Sequence, residues 1–260
     1  MKWIQSPENP LIKEIKKIIK KPEEKIFIEG INLIEAALTS DYVQIEEVLV
    51  TEDFIEKQRE FFKTFKSKIL VTGISERIAK TISETVTPQG IFAVAKFKYK
   101  NLNEIKNPKL AVIADRIQDP GNLGTIIRAS EALGAEALLT TPGTCNPLSG
   151  KVLRASAGSI FFIPVIKASV KDIKDFILKN KLKLVITDLK AKLHCFNVDF
   201  TGSLAVAFGN ESHGVSEELK TIKHISCRIP HKGKTESLNV AIAATVLLYE
   251  ILRQRSLKPP

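Results

Sequence analysis

Leu110-Ala111-Val112-Ile113-Ala114 is an unbroken apolar run, followed by Asp115-Arg116-Ile117-Gln118-Asp119-Pro120-Gly121-Asn122-Leu123-Gly124-Thr125-Ile126-Ile127-Arg128. Five apolar residues without alternation suit a strand buried on both faces, and such strands belong to parallel sheets covered by helices. The polar loop after it gives way to a helical pattern over Asn122 to Leu133. Outward from this unit the alternation repeats. Strand-like segments fall at Ala137–Thr140, Lys183–Thr187, Leu204–Phe208 and Ile225–Ile229, and helical spacing at Leu148–Ala157, Val170–Leu178 and Leu238–Leu252. The spacing predicts an α/β domain built on a parallel sheet.

The first hundred residues alternate on a smaller scale. Leu11, Ile12, Ile15, Ile18 and Ile19 follow helical spacing, with Lys13, Lys16, Lys17, Lys20 and Lys21 on the other face. Such a face is first a solvated one, with RNA contact as the alternative. Strands are expected at Ile26–Ile28, Ile45–Val50, Ile69–Val71 and Ile91–Phe97, and helices at Leu33–Leu38, Glu56–Phe65 and Ile74–Ile82. The polar stretch Tyr99 to Pro108 lacks periodicity and reads as a linker. The expected domains are therefore residues 1–100, a smaller α/β unit, and residues 108–260.

Hydrophobic residues at 44% and charged residues at 26% mark a globular chain, which excludes disordered and fibrous classes. The longest apolar stretches, such as Val240 to Leu248, fall short of the ~18 to 20 residues that span a bilayer. Met1 to Pro7 has no apolar core behind its charge, so a cytoplasmic protein is expected. Cys145, Cys195 and Cys227 are odd in number and far apart, which excludes a metal or disulfide framework as the leading expectation. The net charge of +10 is uneven: 17 Lys and Arg face 15 Asp and Glu up to residue 100, and 22 face 14 beyond it. That excess points toward a polyanionic partner.

Ligands of open parallel sheets lie beyond the carboxyl ends of the strands. Three loops there carry polar chemistry: Asp115 to Arg128, Phe208-Gly209-Asn210-Glu211-Ser212-His213-Gly214, and Ile229-Pro230-His231-Lys232-Gly233-Lys234-Thr235-Glu236-Ser237-Leu238-Asn239-Val240. Leu123 occupies the place of the second glycine in G-x-G-x-x-G, so a dinucleotide fingerprint fails. Gly233-Lys234-Thr235 imitates a phosphate loop, but Arg228 stands where its first glycine belongs. Two residues between Gly209 and Ser212 rule out the G-x-S-x-G elbow of a serine hydrolase. Glycine, asparagine, serine and backbone amides remain, with one arginine and one glutamate, a set that binds a polar small molecule and an RNA phosphate.

Asn122-x-Gly124-x-x-x-Arg128, Gly209-x-Glu211-x-x-Gly214, and Ile229-Pro230 followed by Gly233 and Ser237-Leu238-Asn239-Val240 resemble, in order and spacing, the three motifs of the SPOUT superfamily of TrmH (SpoU) type. The resemblance covers about residues 108 to 255, and the Arg154-Ala155-Ser156-Ala157-Gly158-Ser159 stretch shares it. Residues 1 to 97 resemble the ribosomal-protein-like substrate-binding domain of rRNA members, notably through Ile28-Glu29-Gly30 leading into Leu33-Ile34. The resemblance implies a deep trefoil knot, a homodimer, and an RNA ribose 2′-O-methyltransferase using S-adenosylmethionine. Gly209, Asn210, Ile229 and Leu238, with Thr140, are the cofactor-binding residues it implies. Arg128 is the matched catalytic position, and Asn122, Glu211, Ser237 and Asn239 would orient it and the nucleotide. By analogy with the extra domain, 23S rRNA is the expected substrate. A tRNA 2′-O-methyltransferase and a non-catalytic RNA-binding or ribosome-assembly factor are the alternatives.

Local structure offers rival roles: Asn122 and Ser237 are also good helix caps. The chain departs from the family pattern at His231, where methionine often follows Ile-Pro, and at Ala241, where a serine often follows Asn-Val. The final helix is apolar nearly all round, which predicts a second face packed against a partner subunit.

Overall fold

The computed structural model describes residues 1–66 and 69–256. They form two compact units: Met1–Lys98 with Leu148–Phe162, and Tyr99–Pro147 with Ile163–Pro260.

In the first unit, β1 (Lys2–Ile4), β2 (Lys25–Glu29), β3 (Val43–Val50), β4 (Leu70–Ile74) and β5 (Ile91–Phe97) make a mixed sheet in the order β1-β4-β3-β5-β2. Around it lie α1 (Pro10–Lys20), α2 (Ile31–Thr39), α3 (Glu52–Lys57), α4 (Arg59–Lys66) and α5 (Glu76–Ile82). Helix α1 starts where Asn9 caps the Leu11 N–H at 2.9 Å with Pro10 at the first position, and it buries Ile12, Ile15 and Ile18. The single helix expected over 56–65 is instead two. Thr51 caps α3 five residues early, and Gln58, at φ −124° and ψ 42°, breaks the run before α4. Glu29, buried at the end of β2, accepts hydrogen bonds from Ser83 Oγ (2.5 Å), Thr85 Oγ1 (2.7 Å) and the Glu84 N–H (2.9 Å). These bonds tie down the turn that leaves α5.

The second unit is a seven-stranded, all-parallel sheet. Its strands are β6 (Leu110–Ala114), β7 (Ala137–Thr140), β8 (Val165–Lys167), β9 (Lys183–Thr187), β10 (Leu193–His194), β11 (Leu204–Phe208) and β12 (His224–Arg228), in the order β10-β12-β9-β11-β6-β7-β8. All five residues of β6 are buried, flanked by β11 and β7. Chain order also runs through α6 (Pro120–Ala132), α7 (Gly150–Ala155), α8 (Val170–Lys179), α9 (Glu217–Lys220) and α10 (Val240–Ser256). Ala111 and Ile113 face a core shared with Phe176 of α8 and Leu219 of α9, while α6 packs against α10. The segment read as a linker belongs to this unit, with Leu102 and Ile105 packed against that core.

Helix α7 is shorter than the expected 148–157 and belongs to the first unit. Ala157 (φ 49°) and Gly158 (φ 87°) end it in the left-handed region, and a 3₁₀ turn at Ser159–Phe161 follows. Within that unit Arg154 pairs with Glu84 at 3.1 Å, and Ser40 Oγ donates to the Phe161 carbonyl at 2.5 Å. Among the described residues no helix is long and apolar enough to cross a membrane, and no cluster of His, Cys, Asp and Glu is arranged to hold a metal ion.

Candidate active site

The loops that follow β9, β11 and β12 converge on one cavity of about 460 Å³ beyond the carboxyl end of the second sheet. Gly209, Asn210, Ile229 and Leu238 line it, together with Glu211, Ser237 and Asn239. Thr140, also expected at the cofactor, does not line it. Buried at the end of β7, Thr140 lines a separate cavity of about 410 Å³ with Thr144, Asn146 and Lys167, because β6 stands between β7 and the strands whose loops form the first cavity. Thr187 at the end of β9 lines the first cavity instead, with Asp188, Leu189 and Lys190 beside it. The sequence signal was available: β9 also ends in a threonine followed by a polar loop, and only the strand order decides between the two.

Asn239 and Asn122 have well-defined positions. Asn239, not Ser237, caps α10, its Oδ1 accepting from the N–H groups of Ala241 (2.9 Å) and Ile242 (3.3 Å). That fixes its amide, so Nδ2 points outward and donates to Asn122 Oδ1 at 2.9 Å. Asn122 in turn donates through Nδ2 to Glu211 Oε1 at 2.5 Å. Asn122 does not cap α6. Asp119 does, accepting the Asn122 N–H at 2.8 Å, and this frees the Asn122 side chain for the chain of bonds. Asn239, Asn122 and Glu211, from three separate motifs, thus form one directional hydrogen-bonded line whose acceptor end is a carboxylate.

Arg128 stands apart from that line. It lies six residues beyond Asn122, about 9 Å along the axis of α6 and on a different face of the helix. Its exposed guanidinium makes no hydrogen bond among the described residues. The hydrogen bonds expected to orient Arg128 from Asn122, Glu211, Ser237 and Asn239 are not made among the described residues. Ser237 contributes its carbonyl, which accepts from Thr235 Oγ1 at 2.9 Å. His231 closes the same loop with Nε2 at 3.0 Å from the Thr235 carbonyl.

The loop after β11 is held by its own residues. Asn210 Oδ1 accepts from the N–H groups of Ser212 (3.0 Å) and His213 (3.2 Å), and the Gly214 N–H donates to the Asn210 carbonyl at 2.8 Å. Gly209 is obligatory, since a Cβ there would collide with the backbone of Gly214 and Val215. The lining suits a cationic, polar nucleoside. Leu189, Ile229, Leu238 and Val240 offer apolar walls, Asp188 and Glu211 offer carboxylates for a positive centre, and Lys190 and Arg228 offer cations for a carboxylate.

Comparison with known proteins agrees with this geometry. Residues 109–249, which contain the whole cavity and the hydrogen-bonded line, match the SpoU rRNA Methylase family. Residues 27–100 match the RNA 2′-O ribose methyltransferase substrate-binding family. The chain is 34% identical to a 23S rRNA (guanosine(2553)-2′-O)-methyltransferase of Bacillus subtilis, over 96% of this chain and 99% of that one. It is 31% identical to a 23S rRNA (uridine(2479)-2′-O)-methyltransferase of Streptomyces viridochromogenes, over 76% and 71%. The crystal structure of an AdoMet-bound rRNA methyltransferase from Sinorhizobium meliloti superimposes with a TM-score of 0.84 at 29% identity, covering 99% of each chain. With two of its motifs lining one pocket, the third bonded to them through Asn122, and its sequence matched along nearly its full length, the chain belongs to the SpoU rRNA methylase family.

Proposed function

We propose that this protein is an S-adenosylmethionine-dependent methyltransferase that modifies a ribose 2′-hydroxyl of 23S rRNA. The observation that carries the proposal is the line from Asn239 through Asn122 to Glu211 at the rim of the cavity. S-adenosylmethionine supplies an activated methyl group. Gly209, Asn210, Ile229 and Leu238, joined by Thr187, bind the cofactor, Leu238 and Ile229 supplying apolar contact and Gly209 close backbone approach. Asn122, Glu211 and Asn239 hold the target nucleotide in line, which converts a bimolecular transfer into an oriented one. Ser237 holds the loop between Ile229 and α10. Arg128 grips an RNA phosphate and stabilises the alkoxide that develops at the 2′-oxygen. A guanidinium keeps its proton, so its contribution is charge rather than base catalysis, and the proton displaced from the 2′-hydroxyl leaves to solvent water.

Residues 1–100 serve as the RNA-binding unit and residues 108–260 as the catalytic one, acting in the cytoplasm. The return of β11 between β6 and β9 supports threading of the carboxyl-terminal segment in a trefoil knot. Ile242, Val246, Tyr249 and Leu252 leave an exposed apolar ridge along α10, which supports a homodimer packed on that helix. The experiment is transfer of tritiated methyl from S-adenosylmethionine to unmodified 23S rRNA, with the product digested to nucleosides. Label in a 2′-O-methylnucleoside is expected; binding of RNA without incorporation, or label on a base, refutes the proposal.

A further inference from the structure

We propose that Asp115, which lies outside the cavity, is a positioning residue for methyl transfer. The inference rests on the function proposed above. Asp115 follows the last residue of β6 and is 1% exposed. Its carboxylate accepts from two loops: Thr141 Oγ1 donates to Oδ1 at 2.7 Å, and the Ser216 N–H donates to Oδ2 at 2.6 Å. The nearest cation, Arg116 Nε, is 3.9 Å from Oδ2, too far for a hydrogen bond. A carboxylate buried on two hydrogen bonds and one distant charge is a costly choice for stability alone.

Arg116 shows what that choice supports. Its φ of 56° places a non-glycine residue in the left-handed region, a conformation that persists only where its surroundings over-determine it. Here the Arg116 N–H donates to Thr141 Oγ1 at 3.0 Å, and the Arg116 carbonyl accepts from Asn210 Nδ2 at 3.2 Å. Because a carboxylate only accepts, the Thr141 hydroxyl directs its one proton to Asp115 while a lone pair takes the Arg116 N–H. The Asn210–Ser216 loop is thereby pinned at both ends to residues 115 and 116, at Asn210 through its amide and at Ser216 through its N–H. Glu211 lies inside that span, and Asn122 begins seven residues beyond Asp115 on the same loop and helix. Asp115 therefore sets the frame in which Glu211 and Asn122 meet, acting through Thr141 and Ser216 without touching either substrate.

The test measures kcat, the KM for RNA, and the stoichiometry of S-adenosylhomocysteine binding for wild type, Asp115→Asn, Thr141→Val and Thr141→Ser. The Asn side chain must turn an N–H₂ toward Thr141 or the Ser216 N–H, so kcat should fall by about tenfold or more. The KM for RNA should stay within about threefold, and one ligand should still bind per chain. Thr141→Val should lower kcat in the same way, while Thr141→Ser, which keeps the hydroxyl, should stay within about twofold of wild type. Wild-type turnover in Asp115→Asn or Thr141→Val overturns the inference, as does a kcat loss matched by lost binding stoichiometry. Should Asp115→Asn fail to fold, the two Thr141 variants decide, and equal loss in both is the refuting result. Absence of transfer by the wild type strikes instead at the proposed function.

Discussion

Replacing Asn122 with Ala removes the middle of the line joining three motifs, and its effect can be worked out from the bonds it breaks. One is a neutral amide pair with Asn239 at 2.9 Å, the other a charge-assisted bond to Glu211 at 2.5 Å. Net values of about 0.5–1.5 kcal/mol for the first and 1.5–3 for the second apply, with the lower halves appropriate at a solvent-exposed rim. The sum is about 2–3 kcal/mol. If the line holds the nucleotide in the transition state, kcat/KM falls about 30- to 150-fold at 1.36 kcal/mol per decade. Folding loses at most the same amount, about 2–3 kcal/mol, since both bonds already exist without RNA, while the Asn122 backbone N–H remains capped by Asp119. The melting temperature should fall by no more than about 10 °C. Initial rates of tritiated methyl transfer over a range of RNA concentrations, alongside a melting curve, make the measurement. A kcat/KM within about threefold of wild type refutes the reasoning, and so does a large loss of activity that tracks a collapse in melting temperature.

Arg128→Ala should abolish transfer while cofactor affinity, measured by calorimetry with S-adenosylhomocysteine, changes less than about threefold, since Arg128 does not line the cavity. Gly209→Ala forces a Cβ into the backbone of Gly214 and Val215, so a stability loss of about 1–3 kcal/mol or more and loss of cofactor binding are expected in melting and binding assays. Ile242→Asp with Tyr249→Asp places two charges on the exposed ridge of α10, at 54% and 61% exposure, and should convert a dimer to a monomer in sedimentation velocity. Burial pushes the Cys227 thiol up to about 12, with Cys195 beside it adding to the shift. At pH 8 about one Cys227 in 10⁴ is therefore ionised, and iodoacetamide should label half-exposed Cys145 in the native protein but reach Cys195 and Cys227 only after denaturation.

What could be read from the sequence followed the length and periodicity of each signal. The all-buried run at Leu110–Ala114 is the centre of the second sheet because five apolar residues leave no face for water. Strands β1, β8 and β10 are three, three and two residues long, too short to show a period, and the sequence offered no sign of them. Helix α7 fell short because Ala157 adopts a left-handed conformation that its side chain does not advertise. The three motifs were legible as loops; the cavity collects the second and third, and Asn122 of the first bonds to both. Which polar residue caps and which is left to bind was not legible, since Asp119 or Asn122, and Ser237 or Asn239, are chemically equal candidates until the first helical turn is placed. Thr140 and Thr187 present the same ambiguity one level up, and only the strand order shows which of them stands at the cavity. Asp115 escaped notice because an aspartate after a strand reads as an ordinary loop residue, and its importance lies in burial.

The central claim is that the loops after β9, β11 and β12 enclose the cofactor against the line from Asn239 to Glu211. A crystal structure of the protein with S-adenosylhomocysteine tests it most directly. The account predicts the ligand among Thr187–Lys190, Gly209–Val215 and Ile229–Val240, with its sulfur facing the side of Glu211 and Asn122. Ligand in the cavity at Thr140, Thr144 and Lys167, or density on neither side of the sheet's carboxyl end, would contradict it.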